Sequence, residues 1–133
     1  MNQKIEQLYQ EIGRDALGIA DSLAGRLLVY AEVQKGVVSA DVFYVNTSGV
    51  VRYQFSPKPL QAVIYSFWEQ WKAEPSNREW RIMSYLIDGG KFSLDLVYPD
   101  QIDENEELSD RRPRAIKKYF GDTKVDYSRP KAQ

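Results

Sequence analysis

Between Glu79 and Asp100 the chain reads EWRIMSYLIDGGKFSLDLVYPD, two aromatic and aliphatic runs on either side of Asp88-Gly89-Gly90. Such a pattern reads as a β-hairpin. Side chains alternate faces along a strand. On the second run Phe92, Leu94, Leu96 and Tyr98 therefore share one face, and Lys91, Ser93, Asp95 and Val97 share the other. On the first run Trp80, Ile82, Ser84 and Leu86 lie opposite Arg81, Met83, Tyr85 and Ile87. A three-residue loop places Leu86 opposite Phe92, Ile82 opposite Leu96 and Trp80 opposite Tyr98. A two-residue loop puts Lys91 and Asp95 on the face of Trp80, Ile82 and Leu86. Slipping by one residue inverts every side chain, so burial is expected to select the three-residue register, with Gly90 as the left-handed residue of a bulged turn. Met83 and Tyr85 imply that the second face is not fully wet either.

The rest of the chain supplies partners for this hairpin. Ile5, Leu8, Ile12, Ala16, Ile19 and Leu23 recur at helical spacing, which predicts an amphipathic helix over 2–24 that stops at Gly25. Gly13 and Gly18 weaken it by up to about 1 kcal/mol each relative to alanine and permit close packing on a sheet. Three strands follow, over Arg26–Gln34, Val37–Asn46 and Val50–Phe55, joined by short turns that favour an antiparallel meander. Ser56-Pro57-Lys58-Pro59 opens a second helix, with Ser56 as the expected cap. Its apolar stripe runs from Leu60 through Val63, Ile64, Phe67 and Trp68 to Trp71, and Pro75 ends it. Beyond the hairpin, Pro113–Phe120 predicts a short helix stopped by Gly121.

Histidine and cysteine are both absent. Ser-His-Asp and Cys-His mechanisms are excluded, as are disulfides and zinc sites built on nitrogen and sulfur. No glycine-rich phosphate loop occurs. What remains is carboxylate chemistry, for which Asp88 and Asp95 on the hairpin are the candidate pair; turn chemistry for Asp88 and a polar-face position for Asp95 are the plainer reading. The 133 residues carry 43% hydrophobic and 28% charged side chains and a net charge of −1, the profile of one soluble domain. No apolar run approaches a membrane span, and the polar, helical amino terminus is unlike a signal peptide.

Charge is instead segregated locally. Asp100–Asp110 holds six acids and no base, and Arg111–Lys131 holds eight bases and two acids. The acidic run is open to three readings: a solvated loop, a calcium site lacking the EF-hand spacing, or a docking surface for a basic partner. The basic block, with Arg111, Arg112, Arg114, Lys117, Lys118 and Tyr119, suits RNA or internal pairing with the acids before it, and the neighbouring opposite charge favours the second.

Trp80, then Gly90-Lys91-Phe92, then Tyr98 with Asp100, then a basic segment closing on Lys118-Tyr119-Phe120-Gly121, together resemble the YezG-like family of bacterial immunity (antitoxin) proteins. Tyr30-Ala31-Glu32-Val33 after the first helix is similar as well, and the likeness is best over Trp80–Gly121. Pro99, placed before Asp100, departs from the family's closer aromatic-to-acid spacing. The resemblance implies a small α+β protein, encoded beside a polymorphic or LXG-type toxin, that neutralises the toxin's domain in the cytoplasm. Such toxin domains are frequently nucleases. It carries over no catalytic residue, and Trp80, Gly90, Phe92 and Tyr98 are its structural signature.

These readings converge on an α+β fold of two layers. An antiparallel sheet of about five strands, meander plus hairpin, is expected to carry helices on one face, within a single domain over 1–121 followed by a loosely ordered tail over 122–133. The expected function is stoichiometric binding of a cognate toxin domain, without catalysis, cofactor, metal or membrane; a small RNA-binding module is the alternative. The expected toxin-binding residues are Asp100, Asp103, Glu104, Glu106, Glu107 and Asp110, with aromatic anchors drawn from the exposed members of Tyr44, Tyr53, Trp71 and Tyr85.

Overall fold

A computed structural model describes residues 2–128. Helix α1 spans Gln3–Ile19 and is followed by β1 (Leu23–Gln34), β2 (Val37–Asn46) and β3 (Val51–Phe55). Helix α2 (Lys58–Ala73) leads to β4 (Ile82–Asp88) and β5 (Lys91–Val97). A 3-10 turn at Pro99–Gln101, helix α3 (Leu108–Phe120) and β6 (Val125–Asp126) complete the chain. The fold is α+β, with one mixed six-stranded sheet in the order β5-β4-β1-β2-β3-β6. All neighbours are antiparallel except β3 and β6. After α2 the chain returns beside β1, so β4 runs antiparallel to it.

Both long helices pack on one face of the sheet, as their single apolar stripes require. Ile5, Ile12 and Ala16 of α1 and Leu60, Ile64, Phe67 and Trp68 of α2 bury against Val29, Ala31, Val42, Met83 and Tyr85. Helix α3 covers part of the opposite face, where Ile116 joins Leu28, Tyr30, Phe43, Val51 and Ile82 in a smaller cluster. The central strands are thus buried on both sides, and a third layer covers part of the sheet.

The hairpin takes the other register. Asp88 pairs with Lys91, Ile87 with Phe92, Tyr85 with Leu94 and Met83 with Leu96. The loop is Gly89-Gly90, with φ of 59° and 80°, a two-residue turn that needs positive φ at both positions. Gly90 is left-handed as expected, but no bulge accompanies it. The reason lies in β4, whose two faces are both buried. Met83, Tyr85 and Ile87 face the main core together with Phe92, Leu94 and Leu96, while Ile82 and Ser84 face α3. Trp80, fully buried, precedes the strand and does not follow its alternation.

Three boundaries also differ. Helix α1 ends at Ile19 because the chain turns through Asp21 and Ser22, the latter at φ 58°, and Leu23 already pairs with Asn46 of β2. Ser56 does not cap α2; it is buried, and its hydroxyl donates to the Ala40 carbonyl at 2.7 Å. Helix α3 begins at Leu108, five residues before Pro113, which sits inside it. The described part of the expected tail, 122–128, makes contacts with the sheet: β6 adds a short parallel pairing to β3, Arg52 pairs with Asp126 at 3.1 Å, and Tyr127 packs against Tyr53 and Phe43. The part of the expected tail over 129–133 lies outside the described residues.

Candidate functional site

The segregated charge of the sequence resolves into two separate structural roles. Two bases of α3, Arg111 and Arg112, are turned inward onto the sheet. Arg111 meets Glu32 of β1 in a two-pronged pair, Nε to Oε2 at 2.9 Å and Nη2 to Oε1 at 2.6 Å. The Tyr30 hydroxyl donates to the same Glu32 at 3.0 Å. At the next residue, Arg112 donates to Asp41 of β2 at 3.1 Å, and the Tyr53 hydroxyl donates to the other oxygen of Asp41 at 2.8 Å. Tyr30 and Asp41 are register partners, so the two triads stand side by side across β1 and β2. Each combines one arginine, one carboxylate and one tyrosine. Asp41 is 8% exposed and Glu32 14%.

Burial first, and then the Glu32 carboxylate, push the Tyr30 phenol above its usual range. Burial and the Asp41 hydrogen bond raise Tyr53 to about 12. The hydrogen bond to Glu32 strengthens the hold of Arg111 on its proton. Partly buried arginine–carboxylate pairs of this kind are geometric clamps, because removing one partner leaves the other desolvated and unpaired.

The remaining bases of the helix pair at the surface: Arg114 with Glu106, Lys117 with Asp122 at 3.5 Å and Lys118 with Asp95 at 3.9 Å. Internal pairing is therefore the role of these bases among the described residues, but mostly with acids of the sheet and of the loop after α3; only Arg114 forms an ion pair with the acidic run. Arg129 and Lys131 of the basic block lie outside the described residues.

The acidic run divides. Asp100 in the 3-10 turn accepts from Arg78 at 2.8 Å, and that hydrogen bond holds its carboxyl below the ordinary value. Glu106 is committed to Arg114, and its backbone carbonyl accepts from Arg111 at 2.8 Å. Asp110 caps α3 by accepting the Glu107 amide at 3.0 Å. Asp103 turns the chain by accepting the Asn105 amide at 2.9 Å. Asp103, Glu104 and Glu107 are exposed and make no ion pair among the described residues. Asp110 is likewise exposed without an ion pair, so four of the six acids have no paired cation among the described residues, Asp110 being held at the helix cap.

Asp103 borders a cleft of about 210 Å³ between α3 and the hairpin. Ile82, Val97, Ile102 and Ala115 give it an apolar lining, and its charged lining is mixed, with Asp95, Asp103 and Glu106 facing Arg111, Arg114 and Lys118. Asp88 and Asp95 are not brought together there. Asp88 pairs with Arg26 at 3.0 Å, and Asp95 lies four residues along the strand from Lys91, the partner of Asp88, roughly 13 Å away at strand rise. Among the described residues no three acids converge as a metal cage requires. No helix among them is long and apolar enough to cross a membrane.

Of the aromatic anchors expected from the sequence, Tyr44 and Tyr85 are buried in the main core, and Tyr53 and Trp71 are half-buried. The exposed rings are instead Phe55, at 69%, and Tyr127, at 53%, on the β3 side of the sheet. Sequence reasoning passed over Glu32 and Asp41 as well. Their signal was present: each is a lone carboxylate inside an otherwise apolar strand, a position that demands a hydrogen-bonding cation.

No family model and no curated protein matches this chain.

Proposed function

We propose that this chain is an immunity protein, which binds a toxin domain one-to-one and neutralises it without chemistry of its own. The observation that carries the reading is the division of charge around α3. Its arginines are consumed by Glu32, Asp41 and Glu106, while Asp103, Glu104 and Glu107 stay exposed without a cation. The segment Asp103–Glu107 is thus acidic and holds no base, although the sequence that follows it is basic. An acidic surface complements the basic substrate groove of a nuclease, the toxin class that the family resemblance suggests. The same pairing takes Arg111 and Arg112 away from RNA phosphates. Cytoplasmic residence belongs to the same proposal.

The test uses the toxin domain encoded beside this chain. Asp103→Asn, Glu104→Gln and Glu107→Gln are combined, leaving Glu106 and Asp110 in their structural roles. Stopped-flow mixing at two salt concentrations should give association slowed by about tenfold at low salt, with a flattened salt dependence. An unchanged rate removes the acidic segment from the mechanism. Failure of the unaltered protein to protect cells from that toxin removes the function itself.

A further inference from the structure

We propose that β5 is a self-association edge, at which two copies of this chain pair strand to strand, antiparallel about Ser93. The inference does not depend on the toxin-binding reading: it rests on the outer edge of β5, whose Asp95 also lines the cleft beside α3.

Strand β5 ends the sheet, and no strand among the described residues pairs with its outer edge. The hairpin fixes which backbone groups face outward. Lys91 closes the two-residue loop opposite Asp88, and the Arg81 amide donates to the Val97 carbonyl at 2.8 Å. Odd-numbered residues of β5 therefore turn their amides and carbonyls to β4, and Phe92, Leu94 and Leu96 turn theirs away from it. Soluble proteins usually blunt such an edge with charged side chains, a proline, a bulge or a covering segment; the charges of β5, Lys91 and Asp95, are opposite in sign and so complement a second copy of the strand. β5 has no proline, and its register runs unbroken from Ile82–Val97 to Asp88–Lys91. The opposite edge is treated differently, since β6 covers Val51 and Arg52 of β3.

The side-chain pattern selects the occupant. Lys91 and Asp95 flank Ser93 symmetrically on one face. A two-fold axis through Ser93 sets Lys91 of each copy opposite Asp95 of the other, and on the second face sets Phe92 opposite Leu94. Parity agrees: Phe92 and Leu94 both carry outward backbone groups and form the hydrogen-bonded pairs, which leaves Lys91 and Asp95 at a non-hydrogen-bonded position, where side chains come closest. An axis through Leu94 would instead oppose Lys91 to Val97 and Ser93 to Asp95, losing both ion pairs. The charges are available. Lys91 makes no ion pair among the described residues, and the single ion pair of Asp95, to Lys118, is long at 3.9 Å and solvent-exposed. Phe92, Leu94 and Leu96 are only half-buried at the edge, so a second strand would cover their outer flanks.

Sedimentation equilibrium on the full chain tests this. The wild type should show a concentration-dependent dimer. Lys91→Glu alone, or Asp95→Lys alone, places like charges opposite each other twice and should weaken it about tenfold. The double exchange Lys91→Glu with Asp95→Lys restores opposite charges and should recover wild-type affinity. Leu94→Pro removes an outward N–H that the monomer does not use and should abolish the dimer, with circular dichroism checking the fold. A wild type that stays monomeric at its highest soluble concentration overturns the proposal and leaves the edge to a strand of another protein. So does a dimer indifferent to the single exchanges and to Leu94→Pro, or one that the double exchange fails to rescue.

Discussion

Gly13 of α1 lies directly against the ring of Phe92 in β5: a Cβ at Gly13 would stand 2.4 Å from the ring and 2.6 Å from the Tyr85 hydroxyl. That hydroxyl cannot easily withdraw, because it donates to the Tyr9 carbonyl at 2.7 Å. The glycine lets α1 approach the hairpin closely enough for Tyr9, Tyr85 and Phe92 to meet edge to face and tilted, with centroids 5.1–6.4 Å apart. Gly18 on the same helix has nothing within 4 Å of its virtual Cβ. The two positions should therefore respond oppositely to alanine. At Gly13 overpacking of about 1–3 kcal/mol outweighs a helical gain of up to about 1 kcal/mol, for a net loss of roughly 1–2 kcal/mol. At Gly18 only the gain remains, up to about 1 kcal/mol. Urea unfolding of the two variants checks the signs; stabilisation by Gly13→Ala would show that the Phe92 ring simply swings aside.

The Arg111–Glu32 pair is expected to dock α3. Glu32→Ala strands a largely buried guanidinium beneath the helix and should cost about 2–4 kcal/mol. Replacing both partners, Glu32→Leu with Arg111→Met, removes the stranded charge and should recover most of that loss. Hydrogen exchange adds a local readout, since the α3 amides should lose protection in Glu32→Ala before those of β1 and β4 do. Uniform loss of protection across the sheet would mean that the pair supports the whole domain and not the docking of one helix.

Helical stripes were legible because α1 and α2 each bury one face, and β2 runs over the same Val37–Asn46 that its apolar pattern predicts. The hairpin register was not legible, for a physical reason. Alternation selects a register when one face is wet, and β4 is dry on both. Ile82 and Ser84 are as buried as Met83 and Tyr85, so the choice falls to the Gly89-Gly90 turn and to α3, which is distant in sequence. The candidate site was half legible. The acids could be found as a run, but Asp100, Glu106 and Asp110 are spent on Arg78, Arg114 and a helix cap, contacts that only the fold creates. Pro113 reads as a helix start in sequence; instead it lies within α3, whose first residue is Leu108. β6 is two residues long and too short for any periodicity.

Phe92 reads from sequence as a core residue whose truncation costs 3–5 kcal/mol, the range for a buried aromatic. It is only half-buried, on an edge strand, so Phe92→Ala should cost about 1–3 kcal/mol. The larger loss belongs to Trp80. It is fully buried, packs on Phe67 at 6.2 Å between ring centroids, and its backbone carbonyl accepts the Trp68 indole N–H at 2.7 Å. Trp80→Ala should cost about 3–5 kcal/mol, against a typical total stability of 5–15 kcal/mol. Equal losses in the two variants would contradict the placement of the main core under α2.

Three tyrosines predict an alkaline limit. Burial is the first cause of the upward shift at Tyr30, Tyr53 and Tyr85, and Tyr53 reaches about 12 from the ordinary 10.0. A raised folded-state pKa means that the native protein holds the proton more tightly than the unfolded chain does. The linked stability is complete below pH 10.0 and is lost as pH rises through the folded value, so for Tyr53 the window runs from 10.0 to about 12. Urea midpoints measured across that window should fall with pH. Tyr53→Phe removes one ionisable group together with its hydrogen bond to Asp41. It should cost about 1 kcal/mol at neutral pH and yet show a shallower alkaline decline than the wild type. Arg112 still neutralises Asp41 in that variant, so its fold should persist. A decline of unchanged slope would place the alkaline transition in Tyr30 and Tyr85, and the Tyr30→Phe variant would then carry the difference.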